Sequence, residues 1–205
     1  MAMPSMPGPM MTPVAVVGQQ YCAPYPVDLT VKKKSLSLSD GDFSVTDVNG
    51  NVVFKVKGKL LSLRDRRILV DASGNPIISM QQKVMTMHRR WEVFRGDSSH
   101  EKDMLFSAKK SSLVQFKTEL DVFLASNTSE HACDFKIKGS YFERACTIYL
   151  GESSTIVAQM SRKYTVTNIV LGKDTFGVTV YPNIDYAFIV SLIIILDEIN
   201  KDRED

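Results

Sequence analysis

A chain of 205 residues, 44% hydrophobic and 23% charged, is long enough for one domain with a sizeable core, and its composition excludes a disordered or fibrous chain. A net charge of +2 excludes binding of polyanions through overall charge, so an anionic partner has to be met by a local patch. Cys22, Cys133 and Cys146 form neither an even disulfide framework nor a C-x-x-C pair, which points to buried free thiols in a reducing, cytoplasmic compartment.

Residues 1–26 read as a flexible lead. Six of the eight prolines fall there, fixing φ and removing backbone donors. The stretch before Thr12 lacks the basic region and unbroken apolar run of a secretory signal. Within the lead, Tyr21 and Tyr25 suggest a segment that rests on the domain surface.

From Val27 to Tyr181 short apolar runs recur at strand spacing with turn chemistry between them. Residues 43–46 and 52–57 flank Asp47-Val-Asn-Gly-Asn51, a hairpin whose Asn49-Gly50 pair suits the positive φ of a type I′ turn. Residues 68–70 and 77–80 flank Asp71-Ala-Ser-Gly-Asn75 in the same way. Further strands are expected at 90–94, 104–108, 113–117, 120–124, 134–138, 145–150, 156–160, 164–167 and 176–181. Phe54 and Val56 face opposite to Lys55, Lys57 and Lys59, and Phe135 and Ile137 opposite to Lys136 and Lys138. One dry and one wet face mean an antiparallel sheet over a single core, hence a sandwich or barrel.

The last element differs. From Tyr186 to Leu196 only Ser191 is strongly polar, Asp185 can cap a helix start, and polarity resumes at Asp197 and Glu198. Periodicity alone does not separate a buried helix from a buried strand; length favours a helix at about 185–200. Its eleven residues rise about 16 Å, against ~30 Å of hydrocarbon. A helix apolar on every side has to be surrounded by protein. The expected fold is therefore mainly β, a closed antiparallel barrel enclosing a hydrophobic C-terminal α-helix, with residues 27–205 as the domain.

Several blocks resemble the plant LURP-one-related family: Tyr21-Cys-Ala-Pro-Tyr-Pro-Val27, Met87-His-Arg-Arg-Trp-Glu-Val-Phe-Arg-Gly96, Lys138-Gly-Ser-Tyr-Phe-Glu-Arg144 and Val180-Tyr-Pro-Asn-Ile-Asp-Tyr-Ala-Phe188. The resemblance implies about twelve strands around the helix, a fold kinship with the tubby C-terminal domain and the phospholipid scramblases, and a connection with plant pathogen defence. Asp174 to Val178 and Pro182 to Asp185 look like the scramblase segment credited with calcium binding, although the carboxylates thin to Asp174 and Asp185 with Asn183 between.

No nucleotide loop, hydrolase elbow or zinc-protease motif is present. Ser107-Ala-Lys-Lys110 matches S-x-x-K only as a four-residue coincidence, and His88, His100 and His131 are scattered. No catalytic residue, metal or cofactor is expected. Trp91 reads as a barrel anchor with Arg89 and Arg90 solvated, or as an aromatic on a basic membrane-facing rim.

What remains is basic clusters: Lys32 to Lys34, Lys55 with Lys57 and Lys59, Arg64 with Arg66 and Arg67, Arg89 with Arg90, Lys109 with Lys110, and Lys136 with Lys138. The candidate contacts to an anionic headgroup are Lys55, Lys57, Arg89, Arg90, Lys136 and Lys138. The expected function is a monomeric, non-enzymatic module that binds an anionic phospholipid surface, a phosphoinositide or a protein partner, with peripheral attachment at the plasma membrane. A scramblase-like lipid transporter and a membrane-tethered transcription regulator are the alternatives; the near-neutral charge speaks against direct nucleic-acid binding, while the nucleus stays open as a location.

Overall fold

The structure is a computed structural model that describes residues 12–33, 43–58, 66–83, 90–111, 118–141, 143–161 and 175–201. Twelve antiparallel strands close a barrel in the order β1-β12-β11-β10-β9-β8-β7-β6-β5-β4-β3-β2. They are β1 Val27–Lys33, β2 Phe43–Thr46, β3 Val52–Gly58, β4 Arg67–Asp71, β5 Pro76–Lys83 and β6 Arg90–Arg95. The second half is β7 Met104–Lys110, β8 Thr118–Leu124, β9 Phe135–Ser140, β10 Ala145–Leu150, β11 Ile156–Ser161 and β12 Thr175–Val180, followed by the helix α1 Tyr186–Lys201. The strands expected at 113–117 and 164–167 lie outside the described residues. Closure depends on β1, which sequence patterning did not single out: Val31 is opposite Phe176 of β12 and opposite Val45 of β2.

Both early hairpins turn by the same chemistry, and it differs from the expected type I′ turn. Gly50 donates its N–H to Asp47 O at 3.1 Å and carries the positive φ of 83°, and the β2–β3 register slips beside Val45. That is a tight turn followed by a bulge, with the left-handed residue at glycine, where no Cβ opposes it. Asp47 Oδ1 accepts from the N–H groups of Asn49 and Asn51, both at 2.9 Å. Asp71 repeats the arrangement, with Asn75 N at 2.9 Å and Asn75 Nδ2 at 2.8 Å. The carboxylate competes for the local amides that Asn49 would need in a type I′ turn.

Alternate strand positions point inward, and α1 fills the space they enclose. Phe188 stands edge-on to Phe106, with ring centres 5.0 Å apart, and beside Phe135 at 4.8 Å. Leu192, Ile193, Ile194, Ile195 and Leu196 are fully buried, each stabilising the fold by about 1.5–3 kcal/mol relative to exposure. Burial continues past the apolar run: Asp197, Glu198 and Asn200 are also buried. Among the described residues no helix is long and apolar enough to cross a membrane.

The lead is seated from residue 12 onward, a correction to the expectation of a flexible segment through residue 26. Val14 bridges to Ile184 and Cys22 to Asp185. Tyr21 packs edge-on to Phe54 and Tyr186 at 5.8 and 5.5 Å. The prolines do keep the segment out of the sheet, yet it finds backbone partners at the barrel end where α1 begins.

Candidate functional site

The basic candidates fall at separate places around the wall. Lys32 lies opposite Ser44, and Ser44 opposite Lys55, so the three form one row across β1, β2 and β3; Lys57 follows two positions along β3. All face outward, because Val31, Val45, Phe54 and Val56 are in the core. Lys55 Nζ reaches Ala72 O at 3.3 Å, while Lys32 and Lys57 are exposed. Among the described residues none of these three lysines forms an ion pair.

The remaining candidates are neutralised or isolated. Arg90, expected to be solvated, holds Glu130 in a fork at 2.7 and 2.6 Å, with Lys109 adding a contact to the same carboxylate at 3.2 Å. The hydrogen bonds from Arg90 keep the Glu130 carboxyl below its usual range against the opposing effect of burial, and Lys109 adds to the lowering. Lys136 lies between Asp121 at 3.4 Å, Glu152 at 3.4 Å and Glu119 at 3.8 Å. Lys138 is exposed and stands opposite Glu119. Arg89, Lys34, Lys59 and Arg64 lie outside the described residues. Trp91 is inward-facing and buried, as an anchor.

Two polar clusters inside the barrel carry no recognisable motif. At the end where α1 starts, Asp185 is fully buried and Oδ2 accepts from the amides of Val16, Val17 and Gly18 at 3.1, 2.7 and 3.0 Å. Its Oδ1 caps the helix through Phe188 N at 3.0 Å. Both oxygens are thus turned to amides rather than toward a cation, and Asp174 lies outside the described residues; no group of three or more His, Cys, Asp or Glu suited to a metal occurs among those described. At the other end Glu198 takes Arg67 in a bidentate pair at 3.1 and 3.0 Å, and Asp197 accepts from Tyr141 and lies 3.5 Å from Lys33. The helix-cap signal at Asp185 was legible in sequence; its partners more than 160 residues away were not.

Ser107 faces outward in the row that includes Phe123, and Lys110, three positions along, faces the other way, so the S-x-x-K match brings no serine and lysine together. Burial raises the thiols, Cys22 to about 11 and Cys146 to about 12, with the Asp185 charge adding to the first. Two concavities lie on the described surface. One, of about 710 Å³, lies between the Ala23–Val27 stretch and the β2–β3 hairpin, with Tyr25 and Val48 exposed. The other, of about 420 Å³, lies on the outer wall of β5–β8 beside the Arg90–Glu130 pair.

Comparison with known proteins agrees with this architecture. The family model described as LURP-one-related matches residues 27–197. Protein LURP-one-related 15 of Arabidopsis thaliana is 54% identical over 187 residues, 91% of this chain and 86% of that protein. Protein LURP1 of the same plant is 47% identical, covering 94% of this chain and 93% of that protein. An X-ray structure of an Arabidopsis thaliana protein superposes with a TM-score of 0.72 at 45% identity, over 91% of this chain and 98% of that one. The matched span runs from the first barrel strand to the polar end of the buried helix, and the chain belongs to the LURP-one-related family.

Proposed function

We propose that this chain is a non-enzymatic regulatory module of plant defence that attaches to anionic phospholipid headgroups, phosphoinositides among them, through the lysine wall of β1–β3. The observation that carries the reading is the contrast in charge around the barrel. Lys32, Lys55 and Lys57 share an outer wall with Ser44 and Thr46 and without an ion-paired acid among the described residues, whereas Arg90 and Lys136 are neutralised by carboxylates. Uncommitted cations near an anionic leaflet contribute about 1 kcal/mol each, roughly five-fold in affinity, and are screened by salt. Three give weak, reversible attachment, suited to a regulator that leaves the membrane. Enclosure of α1 supports peripheral binding over the scramblase-like alternative, since insertion would require the helix to leave its core.

Sedimentation with phosphatidylcholine vesicles, with and without phosphatidylinositol bisphosphate, tests this. Binding is expected only to the anionic vesicles and to weaken with salt. The double variant Lys55→Gln/Lys57→Gln should bind about twenty-five-fold less well. Equal, negligible sedimentation with both vesicles, or a double variant that binds as the parent does, would remove the proposal.

A further inference from the structure

The outer cleft of β5–β8 departs from an ordinary solvated barrel wall. Register aligns Gln81 of β5, Glu92 of β6, Ser107 of β7 and Phe123 of β8 in one cross-strand row. All four point away from the barrel core, so an ordinary solvated wall would leave them exposed. Instead the β6–β7 and β8–β9 connections rise on either side, and Gln81 is 6% exposed, Ser107 4%, Phe123 4% and Phe94 3%. The space between these walls is about 420 Å³, within the range of small-molecule sites.

Its floor is chemically incomplete. Among the described residues neither the Gln81 carboxamide nor the Ser107 hydroxyl has a hydrogen-bond partner in the protein; each side chain is more than nine-tenths buried, and its polar atoms are what it leaves open to the cleft. By contrast, the neighbouring Ser79 hydroxyl, which lies outside the lining, donates to Ser98 O at 2.5 Å. Polar atoms on the floor of a cleft are met by water, or by a ligand that reproduces the hydrogen bonds of the water it displaces. Phe94, Phe123 and the Met104 thioether supply the apolar part of the lining.

Among the described residues the rim offers an anion no uncommitted cation. Lys83 is held by Glu92 at 3.0 Å, and Arg90 and Lys109 share Glu130, with Lys109 Nζ also 4.6 Å from the Phe123 ring centre; Glu101 is the carboxylate of the lining without a cation among the described residues. A carboxamide presents one acceptor and a donor side by side, and its complement is another amide edge. We infer that this cleft binds a small, neutral, partly aromatic molecule carrying a carboxamide or lactam, with Gln81 pairing to the amide edge, Ser107 to its outer oxygen, and Phe94 and Phe123 against the ring. The site is separate from the lysine wall and does not share its preference for anions.

Nicotinamide and benzamide are suitable probes, with nicotinate and benzoate as anionic counterparts of the same shape, titrated into isotope-labelled protein by NMR. The two amides are expected to shift the Gln81 side-chain NH₂ signals and the Ser107 and Phe123 backbone signals saturably. The two acids should bind at least about ten-fold more weakly, as should the amides to Gln81→Leu, where the paired edge is lost. Should Gln81→Leu fail to fold, as judged by its signal dispersion, Ser107→Ala supplies the same comparison with the Gln81 signals still readable. Absence of shifts at these residues at saturating amide, equal binding of the acids, or a variant that binds as the parent does would each overturn the inference.

Discussion

The two ends of the buried helix solve one problem in two ways. Where α1 begins, Asp185 is fully buried and its charge is met by four backbone amides, three from the N-terminal segment and one from the helix itself. Where α1 ends, Glu198 is buried too, and its charge is met by the guanidinium of Arg67 on the barrel wall. Amide donors belong to the backbone and come only where chain direction brings them; a cation can be placed by one side chain. The first arrangement therefore ties the N-terminal segment to the helix start through backbone donors, while the second fastens one helix to one strand through two side chains. A buried carboxylate is costly in either setting unless hydrogen-bonded, but the consequences of removing its partners differ.

Asp185→Ala should have the largest effect. It strips the acceptor from Val16, Val17, Gly18 and Phe188 together, and stranded donors cost about 1–3 kcal/mol each with partial rescue by water. A loss of about 4 kcal/mol is expected, read from the urea unfolding midpoint. Hydrogen exchange sharpens the comparison, because the amides of residues 16–18 should lose protection before those of 189–196. Uniform loss across both sets would mean that Asp185 serves the helix alone and does not hold the N-terminal segment.

At the opposite end, Arg67→Met leaves the buried Glu198 without its guanidinium and should cost about 3 kcal/mol. Because this lock is between two side chains, it is replaceable. Arg67→Met combined with Glu198→Leu should return to within about 1 kcal/mol of the parent, since an apolar pair of similar volume avoids desolvating two charges. No second substitution is expected to rescue Asp185→Ala in the same way. A double variant as unstable as the sum of its parts would show that the polar end of the helix is needed for more than this pair.

These two ends also mark what sequence could and could not show. The barrel was legible because alternation at Phe54, Val56, Phe135 and Ile137 has a period of two residues, and the helix because its apolar run is too long for a central strand and too short for a membrane. Tyr21 already suggested that the lead rests on the domain surface, but the seating of Val16 to Gly18 was hidden, since those amides meet one carboxylate more than 160 residues away and backbone amides leave no trace in composition. Asp197 and Glu198 read as the return of solvent, because polarity looks the same in water and in a buried pair. The basic candidates were visible as lysines and arginines, but their freedom was not. Only register reveals that Lys55 has Lys32 across Ser44, and only the folded β8–β9 connection brings Glu130 to Arg90. The cleft escaped notice because Gln81 and Ser107 belong to four-strand packing rather than to any local motif.

Glu130 offers the mildest test of the contrast, as a carboxylate outside the barrel. Its side chain is about a quarter exposed and shared between Arg90 and Lys109, so screening limits its contribution to about 1 kcal/mol. Its folded-state carboxyl is lowered from 4.5, foremost by the Arg90 hydrogen bonds. That contribution is therefore complete above about pH 4.5 and is lost as pH falls through the lowered folded value. Glu130→Gln should reduce stability by about 1 kcal/mol at neutral pH, and parent and variant should converge in urea midpoints as acid protonates Glu130. A gap that stays constant down to pH 2 would mean that Glu130 acts through packing of the β8–β9 connection rather than through its charge.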